Sequence, residues 1–330
     1  MKIIAEAGVN HNGSLETAMK MVDAAVEAGA DYIKFQTFHT DALVTALCEA
    51  ADYQKENAGA VKQDEMLKNL ELTYEDFQKL KDYCEKKGIG FLSTAFDEES
   101  VDFVASLNPD FIKVPSGELT NLPFLRKMAS TGIPVIMSTG MATPEEIAKA
   151  LAPFRKAGYK NEDIVLLHCT TQYPAPMEDV NLLAMKTVSD SFGLPSGYSD
   201  HTLGIEIPIA AATLGASVIE KHFTLSREME GPDHKASLEA DELASMVKAI
   251  RNIEIALGNG VKEVKDSERA NITAARRSIV ARNPISKGQT IREEDICTKR
   301  PATGLSPMFW DKVVGSTAKR DFAPDEMIEI

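Results

Sequence analysis

A short apolar run followed by an amphipathic helical stretch recurs eight times between Ile3 and Leu257, and few folds accommodate that alternation. The strand-like runs are Ile3–Asn10, Asp31–Phe38, Ile89–Phe96, Phe111–Glu118, Pro134–Gly140, Asp163–Thr170, Leu194–His201 and Val218–Thr224. Leu15, Ala18, Met19, Val22 and Val26 recur at helical spacing behind Ser14, a natural N-cap, and Gly29 stops that helix. Further helices are expected over 74–87, 98–107, 123–130, 144–157, 181–192, 204–215 and 240–257. Eight such units in series predict an α/β chain folded as a (β/α)8 TIM barrel. A doubly wound open sheet would want a GxGxxG turn after the first strand, where EAGVNHNG (Glu6–Gly13) stands instead.

Two stretches break the rhythm. The polar segment His39–Leu72 is long for a barrel loop and is expected to form a lid or rim over the mouth. Past Gly258 the chain reads as a polar linker over 259–275. Short β-like runs with frequent turns then occupy 276–330. That tail, about fifty-five residues, is small for a free-standing domain and is expected to lean on a barrel, its own or a partner's.

Composition narrows the partners. A net charge of -14 excludes a nucleic-acid or anionic-membrane surface as the expected partner, so an anionic substrate has to meet local lysines. Cys48, Cys84, Cys169 and Cys297 follow no ligand spacing and read as reduced thiols. MKIIAEAGVN lacks the apolar core of a signal peptide and no apolar run reaches membrane-spanning length, so a cytoplasmic location is expected.

The chemistry should sit where strands end. Glu6, Lys34, Gln36, Thr94, Lys113, Ser116, Glu118, Ser138, His201, Glu220 and His222 all lie in or beside the carboxyl halves of predicted strands, and those positions converge on one barrel mouth. Lys34 and Lys113 inside strands need anions. They could form salt bridges with Glu6 or Glu118, or one could act as a Schiff-base nucleophile. With the hydroxyls of Thr94, Ser116 and Ser138 they could instead cradle a phosphate. His201 and His222 could hold a divalent ion or simply be hydrogen-bonded beneath loops. Glu220 could orient a metal-bound water or pair with the neighbours of Lys221. Glu6 could act as acid or base or be a structural, hydrogen-bonded carboxylate, and His11 and His168 read as loop supports.

In order and spacing, AEAGVNHNG, IKFQTF, FLSTAFD, IKVPSGE, STGMAT, LHCTTQYPAP, GYSDHT, EKHFT and GPDHKAS resemble the sialic acid synthase family of phosphoenolpyruvate-dependent nonulosonate synthases. The tail from Arg277 is similar to that family's antifreeze-like (SAF) domain. The resemblance implies condensation of phosphoenolpyruvate with an N-acetylmannosamine-type aldose to a nine-carbon keto acid and phosphate. It implies a divalent metal, Mn2+ with Mg2+ or Co2+ as alternatives, on His201 and His222. It assigns phosphoenolpyruvate to Lys34, Thr94, Lys113, Ser116 and Ser138, proton handling to Glu6, and the sugar to Gln36, Glu118, Tyr173, Asp233 and Arg300. It also implies a domain-swapped homodimer in which the partner's small domain supplies that arginine. Thr171 departs from the asparagine often found there. AARRS (Ala274–Ser278), YQKEN and MLKNLEL lean toward the legionaminic acid synthases, whose aldose is a 6-deoxy-2,4-diacetamido sugar. The alternatives are another phosphoenolpyruvate-dependent sugar-acid synthase, such as one making an eight-carbon acid, or a non-catalytic glycan- or ice-binding protein.

Overall fold

The computed structural model describes residues 1–45, 48 and 62–330. The chain divides into two compact units, Met1–Gly258 and Asn259–Ile330.

In the first unit eight parallel strands line up in the order β3-β2-β1-β8-β7-β6-β5-β4. They are β1 (Lys2–Gly8), β2 (Tyr32–Thr37), β3 (Gly90–Ala95), β4 (Ile112–Val114), β5 (Val135–Ser138), β6 (Ile164–His168), β7 (Ser196–Asp200) and β8 (Val218–His222). Helices alternate with them, as the sequence pattern predicts for a TIM barrel. β3 and β4 lie side by side, yet no hydrogen-bonded ladder joins them, so the cylinder closes along an unladdered seam. The strands are buried on both faces, which is why they read as near-continuous apolar runs.

Around this cylinder the helices bury their apolar stripes in two clusters. One packs Leu15–Ala28, Tyr74–Lys87 and Ala240–Leu257 against β1, β2 and β8, with Met21, Phe77, Leu80, Met246 and Ile250 at its centre. The other packs Leu122–Ser130 and Pro144–Lys156 against β4–β6 around Leu125, Met128, Leu151 and Phe154. Several helix starts are fixed by capping boxes: Thr73 with Asp76, and Thr143 with Glu146, exchange side-chain and backbone bonds reciprocally.

Some expected boundaries move. The fourth strand ends at Val114, because Pro115 turns the chain, and Ser116–Glu118 form a 3-10 turn instead of continuing the strand. The helix expected over 181–192 covers only Ala184–Phe192. His201 lies one residue beyond β7. The rim segment carries short helices at Thr40–Leu43 and Gln63–Lys68, and its middle, including YQKEN, lies outside the described residues.

In the second unit the stretch read as a linker contains a helix, Asp266–Ala275, started by the Glu268 carboxylate accepting from the Lys265 amide at 3.2 Å. Beyond it β9 (Ser278–Ala281) and β10 (Ile296–Lys299) pair antiparallel, and isolated bridges tie Ile285 to Phe322 and Thr290 to Thr317. Ile279, Ile285, Ile291, Ile296, Val313 and Phe322 form its own core.

Candidate active site

Period-two alternation along the strands builds the barrel interior in layers. The floor is apolar: Ile4, Tyr32, Leu92, Ile136, Leu167 and Val218 pack together. Two residues further along the same strands come Glu6, Lys34, Thr94, Ser138 and Glu220, joined by Lys113 from β4. All six are at most 6% exposed. Two residues further again lie Gly8, Gln36 and His222. Register staggers the layers around the barrel: Glu6 pairs with Lys34 of its own layer on one side, but with His222 of the next layer on the other.

The charged layer balances two lysines against two glutamates. Lys34 Nζ lies 2.9 Å from Glu6 Oε2 and 3.5 Å from Glu220 Oε2, and it donates to Thr94 Oγ1 at 2.9 Å. Lys113 Nζ donates to Glu220 Oε1 at 3.1 Å, the atom that also accepts from Ser199 Oγ at 2.9 Å. The salt-bridge reading thus holds for Lys34 with Glu6, but the partner of Lys113 is Glu220 and not Glu118. Glu220 does not pair with the neighbours of Lys221; it faces inward and is the shared counter-ion of both lysines. Sequence reasoning left that role open, although the same-face spacing of Glu220 and His222 was its signal.

These neighbours set the carboxyls apart. Burial pushes Glu6 up to about 7, against the pull of Lys34. Burial also opposes charge on Glu220, yet Lys113 and Lys34 together hold it well below the usual carboxylate range. Lys34 is held above its ordinary value by Glu220 and Glu6 in spite of burial, whereas burial brings Lys113 down. One carboxyl is therefore poised to exchange a proton near neutrality while the other stays a fixed negative charge.

Ser116 and Ser138 flank this layer. Ser138 Oγ is buried with no hydrogen-bond partner. Ser116 Oγ accepts from the Gly140 amide at 3.1 Å and lies 3.3 Å from Cys169 Sγ. A Cβ on Gly140 would come within 2.5 Å of Thr171 Cγ2 and 2.8 Å of Ser116 Oγ, so only glycine lets these turns meet. Gly140 and Cys169 carried no signal in the sequence because neither is a polar strand-end residue.

The two histidines face each other above the lysines, ring centres 5.5 Å apart. His201 Nδ1 donates to the Thr170 carbonyl at 2.5 Å, which leaves Nε2 with its lone pair directed at the Tyr173 hydroxyl, 2.9 Å away. Burial keeps both rings neutral, pushing His201 down to about 4 and His222 well below its ordinary value. His222 Nδ1 is buried without a hydrogen-bond partner. Neutral imidazoles with lone pairs to offer fit a divalent ion. Among the described residues no group of three or more His, Cys, Asp or Glu side chains is arranged to hold one. The pair can therefore bind an ion only as a minority of its ligands. His168 and His11 stand apart as loop supports: His168 Nε2 meets the Val180 carbonyl at 2.9 Å, and His11 Nδ1 accepts from the Gly13 amide at 3.1 Å.

Over the histidines opens a cavity of about 450 Å3 lined by Gln36, Glu118, Tyr173, His222 and Asp233. Its remaining wall is largely apolar and includes Phe38, Leu43, Val44, Met66, Leu67 and Leu70. Burial pushes the Asp233 carboxyl up to about 6. The loop carrying it is pinned to the first barrel loop. Thr224 Oγ1 and Asn12 Oδ1 hold the two nitrogens of His234, and Asn10 Nδ2 donates to Ser237 Oγ at 2.9 Å. Arg300 is exposed in the second unit. No described helix is long and apolar enough to cross a membrane.

Comparison with known proteins meets this geometry. The NeuB family profile matches residues 21–262, and the SAF domain profile matches 276–329. The chain is 48% identical to the N,N'-diacetyllegionaminic acid synthase of Campylobacter jejuni, covering 99% of this chain and 98% of that one. It is 49% identical to the Legionella pneumophila protein of the same name, covering 95% and 89%. Among solved structures, an N-acetylneuraminic acid synthetase from Leptospira borgpetersenii superposes with a TM-score of 0.71 at 36% identity, over 82% of this chain and 89% of that one. A chain matched over most of its barrel and its tail, with layered charges at one mouth, belongs to the NeuB family and ends in a SAF domain.

Proposed function

We propose that the barrel mouth condenses phosphoenolpyruvate with an N-acetylated hexosamine-type aldose and water, giving a nonulosonic acid and phosphate. The observation that carries this reading is the charge layer, in which two buried lysines and a near-neutral Glu6 share one mouth with two neutral imidazoles. Lys34 and Lys113, with the hydroxyls of Thr94, Ser116 and Ser138, would neutralise the phosphate and hold the enol over Glu6. C3 of the enol bonds to the aldehyde carbon and water adds at C2. One proton of that water leaves for Glu6, which returns it to the former aldehyde oxygen as the new hydroxyl, and the other leaves with the phosphate as the C2–O bond breaks and the C2 ketone forms. Glu220, kept ionised by the lysines, keeps the cradle from becoming too positive to release its product. His201 and His222 would hold a divalent ion of Mn2+ type, Mg2+ or Co2+ being alternatives, and when bound it supplies Lewis-acid polarisation of the aldehyde.

Gln36, Glu118, Tyr173 and Asp233 would take the sugar. The apolar wall of the cavity suits methyl-bearing substituents better than a fully hydroxylated chain. With the names of the two legionaminic relatives, this favours a 2,4-diacetamido-6-deoxy aldose, and so N,N'-diacetyllegionaminate, over N-acetylmannosamine and N-acetylneuraminate. The same reading makes the protein a cytoplasmic homodimer with Arg300 serving the sugar. Phosphate release with phosphoenolpyruvate and each aldose, before and after chelation, is the test. Release with the diacetamido sugar that chelation abolishes and Mn2+ restores is expected, with Arg300→Ala raising only the sugar KM. No release with either sugar and any divalent ion would overturn the reading.

A further inference from the structure

Lys221 stands between two residues of the mouth, Glu220 and His222, but strand alternation turns its side chain to the opposite face. There it is fully buried, as is its partner Asp200, with Nζ 2.5 Å from Asp200 Oδ2. The same ammonium donates to the Thr202 carbonyl, and the Asp200 carboxylate accepts from the Thr202 amide at 3.1 Å and from its hydroxyl at 3.0 Å. The residue before His222 thus grips the residues on both sides of His201. The β7–β8 ladder ends at the pairing of Asp200 with Lys221, one residue short of either histidine, so the ammonium takes over where the backbone bonds stop. Lower in the same strand pair, a Cβ at Gly197 would come within 2.2 Å of the Val218 carbonyl, so only glycine lets the two strands approach as they do at that point.

A buried ion pair is a poor source of stability, since apolar side chains of similar volume often serve as well. What it supplies, and they do not, is direction: fixed distances among several donors and acceptors. The His201 ring is already oriented by the Thr170 carbonyl. The His222 ring packs edge-on against Tyr173, their centres 5.7 Å apart, and the spacing of the two strand tips sets how far it stands from His201.

We propose that Lys221 and Asp200 are positioning residues that set the separation of the His201 and His222 rings and thereby the affinity of the mouth for a divalent ion. The proposal rests on the metal reading above, and the experiment separates the two. Mn2+ is titrated into the metal-free full chain, and the free ion is followed by electron paramagnetic resonance. The doubly substituted Asp200→Leu, Lys221→Met chain is titrated in parallel, with a thermal melt of each. Expected is a wild type that binds, and a variant that melts close to it but whose Kd for Mn2+ is higher by roughly tenfold or more. An equal Kd in a folded variant overturns the positioning role while leaving the metal reading intact. A wild type that binds no Mn2+ overturns both. Where the apolar pair does not fold, Asp200→Asn with Lys221→Met, which keeps an acceptor for Thr202 but removes the link between the strands, is judged by the same Kd criterion.

Discussion

A carboxyl pushed toward neutrality beside two lysines needs an explanation at the level of single groups, and Glu6 has one. It is buried deeply enough to resist ionisation, and the lysine it pairs with is shared with Glu220, which faces both lysines. The two carboxyls titrate as a pair, so pH dependence in this mouth reports both. If Glu6 accepts the proton of the attacking water, its ionised form is the active one. kcat/KM should then rise with pH through an apparent pKa near the value of about 7 to which burial brings it. Glu6→Gln is expected to lower kcat by roughly 10^2 to 10^4. It should leave the KM for phosphoenolpyruvate little changed and remove that acidic limb. Steady-state kinetics from pH 5 to 9 check it, and an unchanged limb in the variant would assign the titration elsewhere.

At the scale of elements, the turns after the strands place the hydroxyls, and Gly140 is where their packing is tightest. Gly140→Ala should push Ser116 and Thr171 apart, raising the KM for phosphoenolpyruvate several-fold with a smaller change in kcat. The stability cost is expected to be about 1–3 kcal/mol, typical of overpacking. Initial rates and a denaturant titration check both, and an unaltered KM would free Ser116 from any part in binding. The legibility of the site divides at this scale. Glu6, Lys34, Thr94, Ser138 and Glu220 could be found from sequence because an inward strand position that should be apolar carries a polar group. Ser116 and Glu118 also lie at the mouth as their sequence position suggests, but on a turn instead of a strand: Pro115 ends the strand, and periodicity does not see the turn that follows. The partner of Lys113 was beyond reach, since it depends on β4 and β8 facing each other across the barrel, which no local pattern encodes. Gly140, Ser199 and Cys169 were missed because their contribution is space or a single hydrogen bond.

Taken whole, the chain gathers its buried charges in the first unit and closes the second around a separate small core. The alternation of strand and helix was enough to read the barrel, and the turn-rich tail was enough to read a β-rich addition. The helix Asp266–Ala275 was hidden by a polar composition that buries none of its residues. The barrel itself is topologically a strip whose two edges, β3 and β4, touch without a ladder. Backbone groups along such an edge lack the cross-strand bonds that keep amide protons from solvent, so opening should begin there. Native-state hydrogen exchange is expected to show β3 and β4 losing protection ahead of β1 and β8, and the reverse order would refute it. Lys113 and Thr94 sit on those two edges and, on the proposed reading, both hold phosphoenolpyruvate. A bound substrate would then act as a clasp across the gap, slowing exchange in the two strands that the fold leaves unstitched.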